Sequence, residues 1–253
     1  RDPANGGAPL QLSLDLTVQA TVEEVLDGGM KLMNAKGAAA VLMDVKTGEI
    51  ISMTSLPDFD PNTRPQPLTK GQAGDSPLFN RAVQGVYELG STFKIFAVAQ
   101  ALDLGLVTPD TVVETKTPMF WGKYRINDFH NYGAELPVTE VIVKSSNVGT
   151  AHIIGMVGPD RQQAFLKSLG LFEPTPVELV EAPTGKPLIP KKWSEISMLT
   201  ISYGHGLSAS PLHLAAAYAA IINGGTRVRP TILKTDKVQA GERVISEQTS
   251  AQA

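Results

Sequence analysis

Cysteine is absent from the sequence. That excludes disulfides, thiolate metal sites and a cysteine nucleophile, and it leaves the redox compartment open, because oxidising and reducing compartments both tolerate it. No apolar run reaches the roughly 18 residues a membrane span needs, and there is no signal-peptide pattern. Dense Lys/Arg runs are also missing, and the net charge is −3, so the electrostatic footprint of a nucleic-acid binder is not there. Neither internal repeats nor low-complexity tracts occur. What is present is 253 residues, 42% apolar and 19% charged, the composition of an ordinary globular protein with room for one large domain or two lobes. The opening "RDPANGGAPL" reads as a linker, residues 1–9, from an upstream domain, which leaves room for a membrane anchor before it.

Periodicity sorts the rest. In "LQLSL" the alternation of Leu10, Leu12 and Leu14 predicts a strand, and Asp15 then caps a helix with Val18, Val22, Val25 and Leu26 on one side. "GAAAVLMDVKTGEIISMTS" is two apolar runs joined at Lys46-Thr47-Gly48, a hairpin. "LPDFDPNTRPQP" is a proline-rich loop, and its Asp58 and Asp60 belong to it rather than to a paired-carboxylate site. Residues from about 106 to 135 look irregular, and their aromatics (Phe120, Trp121, Tyr124, Phe129, Tyr132) read as a small cluster under a long loop, with a substrate cleft as the alternative. Helical patterns resume at "PVTEVIVK", "VGTAHIIGMVG" and "DRQQAFLKSLG", and "ASPLHLAAAYAAIINGG" has Ser210 as its cap, Pro211 at its first position and Gly224 as its stop. A hairpin followed by helices predicts a mixed α/β (α+β) fold, a sheet backed by helices.

Two polar residues interrupt the apolar "YELGSTFKIFAVAQALDLG", Ser91 and Lys94. Taken alone, Ser91 is a helix cap and Lys94 a side chain that snorkels to water. Their surroundings argue otherwise. A lysine in the first turn opposes the helix dipole by a few tenths to about 1 kcal/mol, and Phe93, Ile95, Phe96, Val98 and Ala99 leave its charge little exposed face. Positions i and i+3 share a helix face, and Gly90 allows a sharp entry. An amine deprived of water loses its proton more readily, and a neutral amine beside a hydroxyl is a base beside a nucleophile, the requirement for acyl transfer.

A second cluster lies in "VIVKSSNVGTAHIIG". Ser145, Ser146 and Asn147 fall where one helix ends and another begins, which is an ordinary place for such residues. Following Ser-x-x-Lys in the chain, the cluster takes on a second meaning: Ser145 is placed to relay a proton between Lys94 and a leaving amine, and the Asn147 amide to hold a substrate peptide group.

These motifs resemble the Ser-x-x-Lys and Ser-x-Asn of the penicillin-binding proteins and serine β-lactamases. "AAVLMDVKTGEIISMTSLPDFDPN", "NRAVQGVYELGSTFKIF", "VTEVIVKSSNVGTAHI" and "WSEISMLTISYGHGLSASPLHLAAAYAAIINGG" are similar to the transpeptidase domain of class B penicillin-binding proteins, and "SSNVG" with "SYGHGLSASPLHLA" to the cell-division (FtsI) type. The resemblance runs from about Leu10 to about Ile245. It implies an antiparallel sheet flanked by helices, with a helical subdomain at roughly residues 100–200. It also implies a D,D-transpeptidase in which Ser91, Lys94, Ser145 and Asn147 are catalytic and Gly90, Ser146, Gly204 and Gly206 bind substrate. The Ser91 N–H would be one oxyanion donor. Stem peptides ending in D-Ala-D-Ala, β-lactams, and the glycosyltransferase and septal proteins of cell division are the implied partners. The implied location is the periplasmic face of the bacterial inner membrane, with no metal or organic cofactor.

The family's third motif, Lys-Thr-Gly after Ser-x-Asn, is the departure. Lys46-Thr47-Gly48 precedes the nucleophile, Lys234-Thr235 is followed by Asp236 where glycine belongs, and Pro183 to Lys186 is a loop. The sequence is therefore expected to be a partial domain, residues 10–253, lacking the last strands of the sheet and weak or inactive by itself. His130, His152, His205 and His213 show no metal-ligand spacing and read as structural or surface residues. Two other functions stay open: a serine β-lactamase, for which no glutamate offers itself to activate a deacylating water, and a non-catalytic penicillin-binding sensor.

Overall fold

A computed structural model describes residues 9–253, and residues 1–8 of the expected 1–9 linker lie outside the described residues. Asp15 caps α1 (Leu16–Leu32), its Oδ1 accepting from the Thr17 and Val18 amides at 2.9 and 3.0 Å. β1 (Ala38–Met43) and β2 (Ile50–Leu56) form the expected hairpin, in register from Ala38 opposite Leu56 to Met43 opposite Ile50, with a bulge at Leu42/Met43. β2 alternates strictly, burying Ile50, Ser52, Thr54 and Leu56. Gln19 stitches α1 to this strand: its Oε1 accepts from Ser52 Oγ and the Met53 amide, and its Nε2 donates to the Met53 carbonyl and Thr54 Oγ1.

One expectation fails in this region. "LQLSL" forms no strand; Leu12 makes one isolated bridge to Leu233 and the Ser13 amide one bond to the Ile232 carbonyl, Leu10 and Leu12 are exposed, and Leu14 alone of the three packs on the core. On α1 no residue is buried, and Val25 is 70% exposed. Val22, Val25, Leu26 and Met30 instead form one wall of an open groove whose other wall includes Ala38 and Ala40 of β1. A two-stranded sheet is too narrow to cover a 17-residue helix.

A two-residue strand, β3 (Tyr87–Glu88), leads through a 3-10 turn (Gly90–Phe93) into α2 (Lys94–Asp103), which stops before Gly105 as expected. The region expected to be irregular holds two small antiparallel pairs: β4 (Val112–Glu114) pairs with β7 (Glu135–Pro137), and between them β5 (Met119–Trp121) and β6 (Tyr124–Ile126) form a hairpin. Then come α3 (Val138–Val143), α4 (Asn147–Val157), α5 (Pro159–Ser168), α6 (Glu195–Ser202), β8 (Ser208–Ala209), α7 (Pro211–Ile222) and α8 (Glu247–Gln252).

α2 is the central pillar. Phe96 to Leu102 are all buried, as an apolar-all-round helix must be. One side packs into a cluster of Val138, Val141, Val148, Ala151, Ile154, Met198 and Leu199 from α3, α4 and α6. The other meets Phe165, Leu166, Ala217, Ala220 and Ile221 from α5 and α7. A helix gripped on both sides gives its first turn a fixed position, and that turn carries Lys94.

Candidate active site

Ser91 lies on the 3-10 turn and Lys94 opens α2, so the two are not on one α-helix as the spacing suggested. A 3-10 turn eclipses i and i+3 more directly than an α-helix does, and Lys94 Nζ stands 3.1 Å from Ser91 Oγ. The turn is held from several sides. Thr92 Oγ1 donates to the Leu89 carbonyl at 2.7 Å, and Tyr218 Oη on α7 donates to the Thr92 carbonyl at 2.6 Å. Phe93 and Phe96 are buried edge to face with centroids 5.0 Å apart. β3 pairs with β8, and the Gly90 amide donates to the Gly204 carbonyl at 3.3 Å.

The second cluster joins the first. Lys94 Nζ lies 2.8 Å from Ser145 Oγ and 2.5 Å from the Ser145 carbonyl. Three contacts fit either charge state: an ammonium donates to all three, whereas an amine donates two hydrogens to Ser145 and turns its lone pair to the Ser91 hydroxyl. Lys94 is 2% exposed while Ser91 is exposed, so the amine is reached only from the serine side. Burial, opposed by the Asp128 charge, lowers the Lys94 pKa to about 8. At pH 7 about a tenth of such lysines are neutral, against a few in ten thousand at the ordinary pKa. The amine deprived of water is therefore present.

The Ser145 turn has a specific geometry. Lys144 ends α3, Ser145 sits at φ +57°, its amide donates to the Ile142 carbonyl, and the Ser146 amide donates to the Val141 carbonyl. This is the bond pattern of a Schellman helix end, in which the left-handed residue is usually glycine. A serine there costs backbone strain of about 1 kcal/mol, and its Oγ is the atom that meets Lys94.

Asn147 reaches back to the loop before it, its Nδ2 donating to the Asn127 carbonyl at 3.0 Å. Ser146 is fully buried; its Oγ donates to Asp128 and accepts from the Gly149 amide, so it caps α4. The two loop glycines are engaged as well. The Gly206 amide donates to Glu88 Oε1 at 2.7 Å, and Gly204 is pressed on Gly90, where an added Cβ would lie 1.9 Å from the Gly90 carbonyl oxygen. Gly90 itself, at φ +59°, has open space where a Cβ would go.

The residue that sequence reasoning missed is Asp128. Its carboxylate accepts from Ser146 Oγ at 2.7 Å and from the Asn147 and Val148 amides at 2.5 and 3.0 Å. It thus caps α4 from 18 to 20 positions upstream, and no local spacing advertises a cap at that distance.

Neither Lys46-Thr47-Gly48 nor Lys234-Thr235-Asp236 bonds the Ser91 site, and the second is held by Glu49, the residue after the first. Glu49 accepts from the Thr235 and Asp236 amides and from Lys234 Nζ, and none of these bonds goes to Ser91, Lys94 or Ser145. The aromatics near Trp121 are not a covered cluster: Phe120, Tyr124 and Phe129 are 67%, 46% and 94% exposed, and only Tyr132 of the group packs on the core. His213 is buried against Ser210 and the Glu173 carbonyl, His205 bonds Glu88, and no metal-binding group of His, Asp and Glu occurs among the described residues.

The chain is 41% identical to a probable peptidoglycan D,D-transpeptidase FtsI of Caulobacter vibrioides, over all of this chain and 42% of that protein. It is 35% identical to the peptidoglycan D,D-transpeptidase FtsI of Escherichia coli K12, over 94% of this chain and 39% of that one. It thus spans about two fifths of the length of these relatives. The fold superposes on the apo transpeptidase domain of Burkholderia pseudomallei penicillin-binding protein 3 with a TM-score of 0.83 and 33% identity, covering 98% of this chain and 69% of that one. A Burkholderia ambifaria structure described as a peptidoglycan glycosyltransferase gives 0.82 and 34%, covering 95% and 71%. The model of the penicillin binding protein transpeptidase domain matches residues 38–253, which include both motifs, and the chain belongs to that family.

Proposed function

We propose that this domain carries out acyl transfer in a peptidoglycan D,D-transpeptidase of the cell-division type. The observation that carries the proposal is one amine, nearly sealed from water, within hydrogen-bond reach of two hydroxyls, Ser91 Oγ and Ser145 Oγ. The names of the Caulobacter and Escherichia relatives supply the substrate class. In the proposed reaction Ser91 Oγ attacks the carbonyl carbon between the last two D-alanines of a stem peptide, and its proton passes to the neutral Lys94 amine. The C–N bond breaks, and the leaving D-alanine amine takes its proton from Lys94 through Ser145 Oγ. An amine of a neighbouring stem then attacks the ester, its proton returning along the same path, and Ser91 is released with its hydroxyl restored. The Ser91 amide is the proposed oxyanion donor and the Asn147 amide group a peptide-holding contact. β-Lactams would acylate the same oxygen.

No helix among the described residues is long and apolar enough to cross a membrane. The proposed setting is the periplasmic face of the inner membrane, with attachment through another part of the protein and with a septal glycosyltransferase as a working partner. No Lys-Thr-Gly follows Asn147 in these 253 residues. By themselves they are expected to turn over a D-Ala-D-Ala thioester analogue poorly, and turnover at the rate of an intact domain would refute that.

The test is to incubate the full-length protein with a fluorescent penicillin, map the adduct by mass spectrometry and time its decay. An adduct on the peptide holding Ser91 that lasts hours is the expected result. Decay in seconds would make the protein a β-lactamase, and absence of any adduct would make it non-catalytic. A companion variant separates the backbone of Ser145 from its hydroxyl. Ser145→Gly is expected to raise unfolding stability by up to about 1 kcal/mol, because glycine relieves the left-handed strain, while slowing acylation by about tenfold or more through loss of the relay oxygen.

A further inference from the structure

Resting on the acyl-transfer reading, we propose that Asp128 is a positioning residue for the reaction: it pins the backbone of residues 146–148 so that Ser145 and Asn147 meet Lys94 and the substrate. Three bonds carry the proposal. One carboxylate oxygen accepts the Asn147 and Val148 amides, the first two backbone donors of α4, and the other accepts Ser146 Oγ. These amides have no partner within the helix, and a charge-assisted bond to them is about twice as strong as a neutral one. Two residues before the first of these amides sits Ser145, in its left-handed conformation. The clamp therefore closes one end of a strained turn whose other end is the last turn of α3. The residue before Asp128 takes part too, since the Asn127 carbonyl accepts from Asn147 Nδ2. One short segment thus holds the backbone that follows Ser145 and the side chain of Asn147.

Asp128→Ala removes all three bonds, whereas Asp128→Asn keeps a side-chain oxygen for the two amides and an amide group for Ser146. The measurement is the second-order rate of acylation of the full-length protein by a fluorescent penicillin, from pH 5 to about 10, with melting temperature as a control. Asp128→Ala is expected to lower the high-pH plateau about tenfold to a hundredfold, a loss of the size that misplacement of reacting groups produces, and Asp128→Asn to restore it to within about threefold of wild type. An unchanged plateau in Asp128→Ala, or an Asp128→Asn plateau as low as that of Asp128→Ala, overturns the positioning role. A wild-type protein that takes up no penicillin at Ser91 overturns the acyl-transfer reading itself, a result distinct from either.

Discussion

Replacing Lys94 by alanine is expected to slow acylation of the full-length protein by a β-lactam about 10²–10⁴-fold, the range a positioned general base supplies. Lys94 Nζ is the basic atom hydrogen-bonded to Ser91 Oγ, and Ser145 Oγ, its neighbour, is a hydroxyl with no useful basicity of its own. Lys94→Arg is expected to do no better, because a guanidinium stays charged and cannot accept a proton. In the wild-type protein the rate should climb through pH 8 and level off above it, because the neutral amine accumulates as pH passes the lowered pKa of about 8. Loss of the lysine should abolish that climb. A rate in Lys94→Ala within tenfold of wild type, with the same pH profile, would remove Lys94 from the mechanism.

The same burial has a stability signature. The folded pKa of about 8 lies below the unfolded value of 10.5, so between these two pH values the unfolded chain binds more protons than the folded one. Stability therefore rises with pH across that window, and the cost of holding the charge is fully present below it. At its limit the effect is about 3 kcal/mol. Measured against Lys94→Met, which keeps the apolar stem, the wild-type deficit should narrow as pH increases from 8 to 10.5.

The parts of the site that were legible in the sequence are those whose parts lie close together in it. Ser91 and Lys94 are three residues apart and contradict the helix dipole and the apolar face around them, a conflict visible in the letters. Asp15, Ser210 and Gly105 follow capping chemistry that acts within a turn. What the sequence hid is what tertiary structure decides. Asp128 caps a helix from the far side of a loop, so its signature is a spatial one. Ser146 and Ser145 look alike in "SSN", yet a left-handed turn sends one hydroxyl to Lys94 and buries the other on Asp128. The alternation of Leu10, Leu12 and Leu14 satisfied the strand rule, but a strand also needs a neighbour, and a single bridge is all it finds among the described residues. The aromatics from Phe120 to Phe129 misled in the same way, since hydrophobic letters do not state whether anything lies above them.

Gly204→Ala is expected to damage both stability and acylation, although Gly204 touches neither Ser91 Oγ nor Lys94. Its φ of +89° is a conformation that side chains rarely adopt, and leaving it costs the turn after α6 its shape. The larger problem is the neighbour. A Cβ there would fall 1.9 Å from the Gly90 carbonyl oxygen and 2.4 Å from the Gly90 carbonyl carbon and Cα. These are backbone atoms, so no rotamer change relieves the clash, and one of the two strands of chain must move. The Gly90 amide is bonded to the Gly204 carbonyl, and Gly90 is joined directly to Ser91, so the displacement goes straight into the nucleophile turn. A shift of about 1 Å in a reacting group can cost about a hundredfold in rate, and strained backbone with overpacking costs about 2–4 kcal/mol. Gly90→Ala is the matched comparison. Its φ of +59° carries a strain cost, but its Cβ meets open space, so its destabilisation should stay near 1 kcal/mol. Thermal unfolding and penicillin acylation of the two variants should therefore rank Gly204→Ala well below Gly90→Ala in both. Equal stability in the two would mean that the contact between the α6 end and the nucleophile turn is loose enough to absorb a methyl group, and that Ser91 is positioned by Tyr218 and the Phe93 anchor instead.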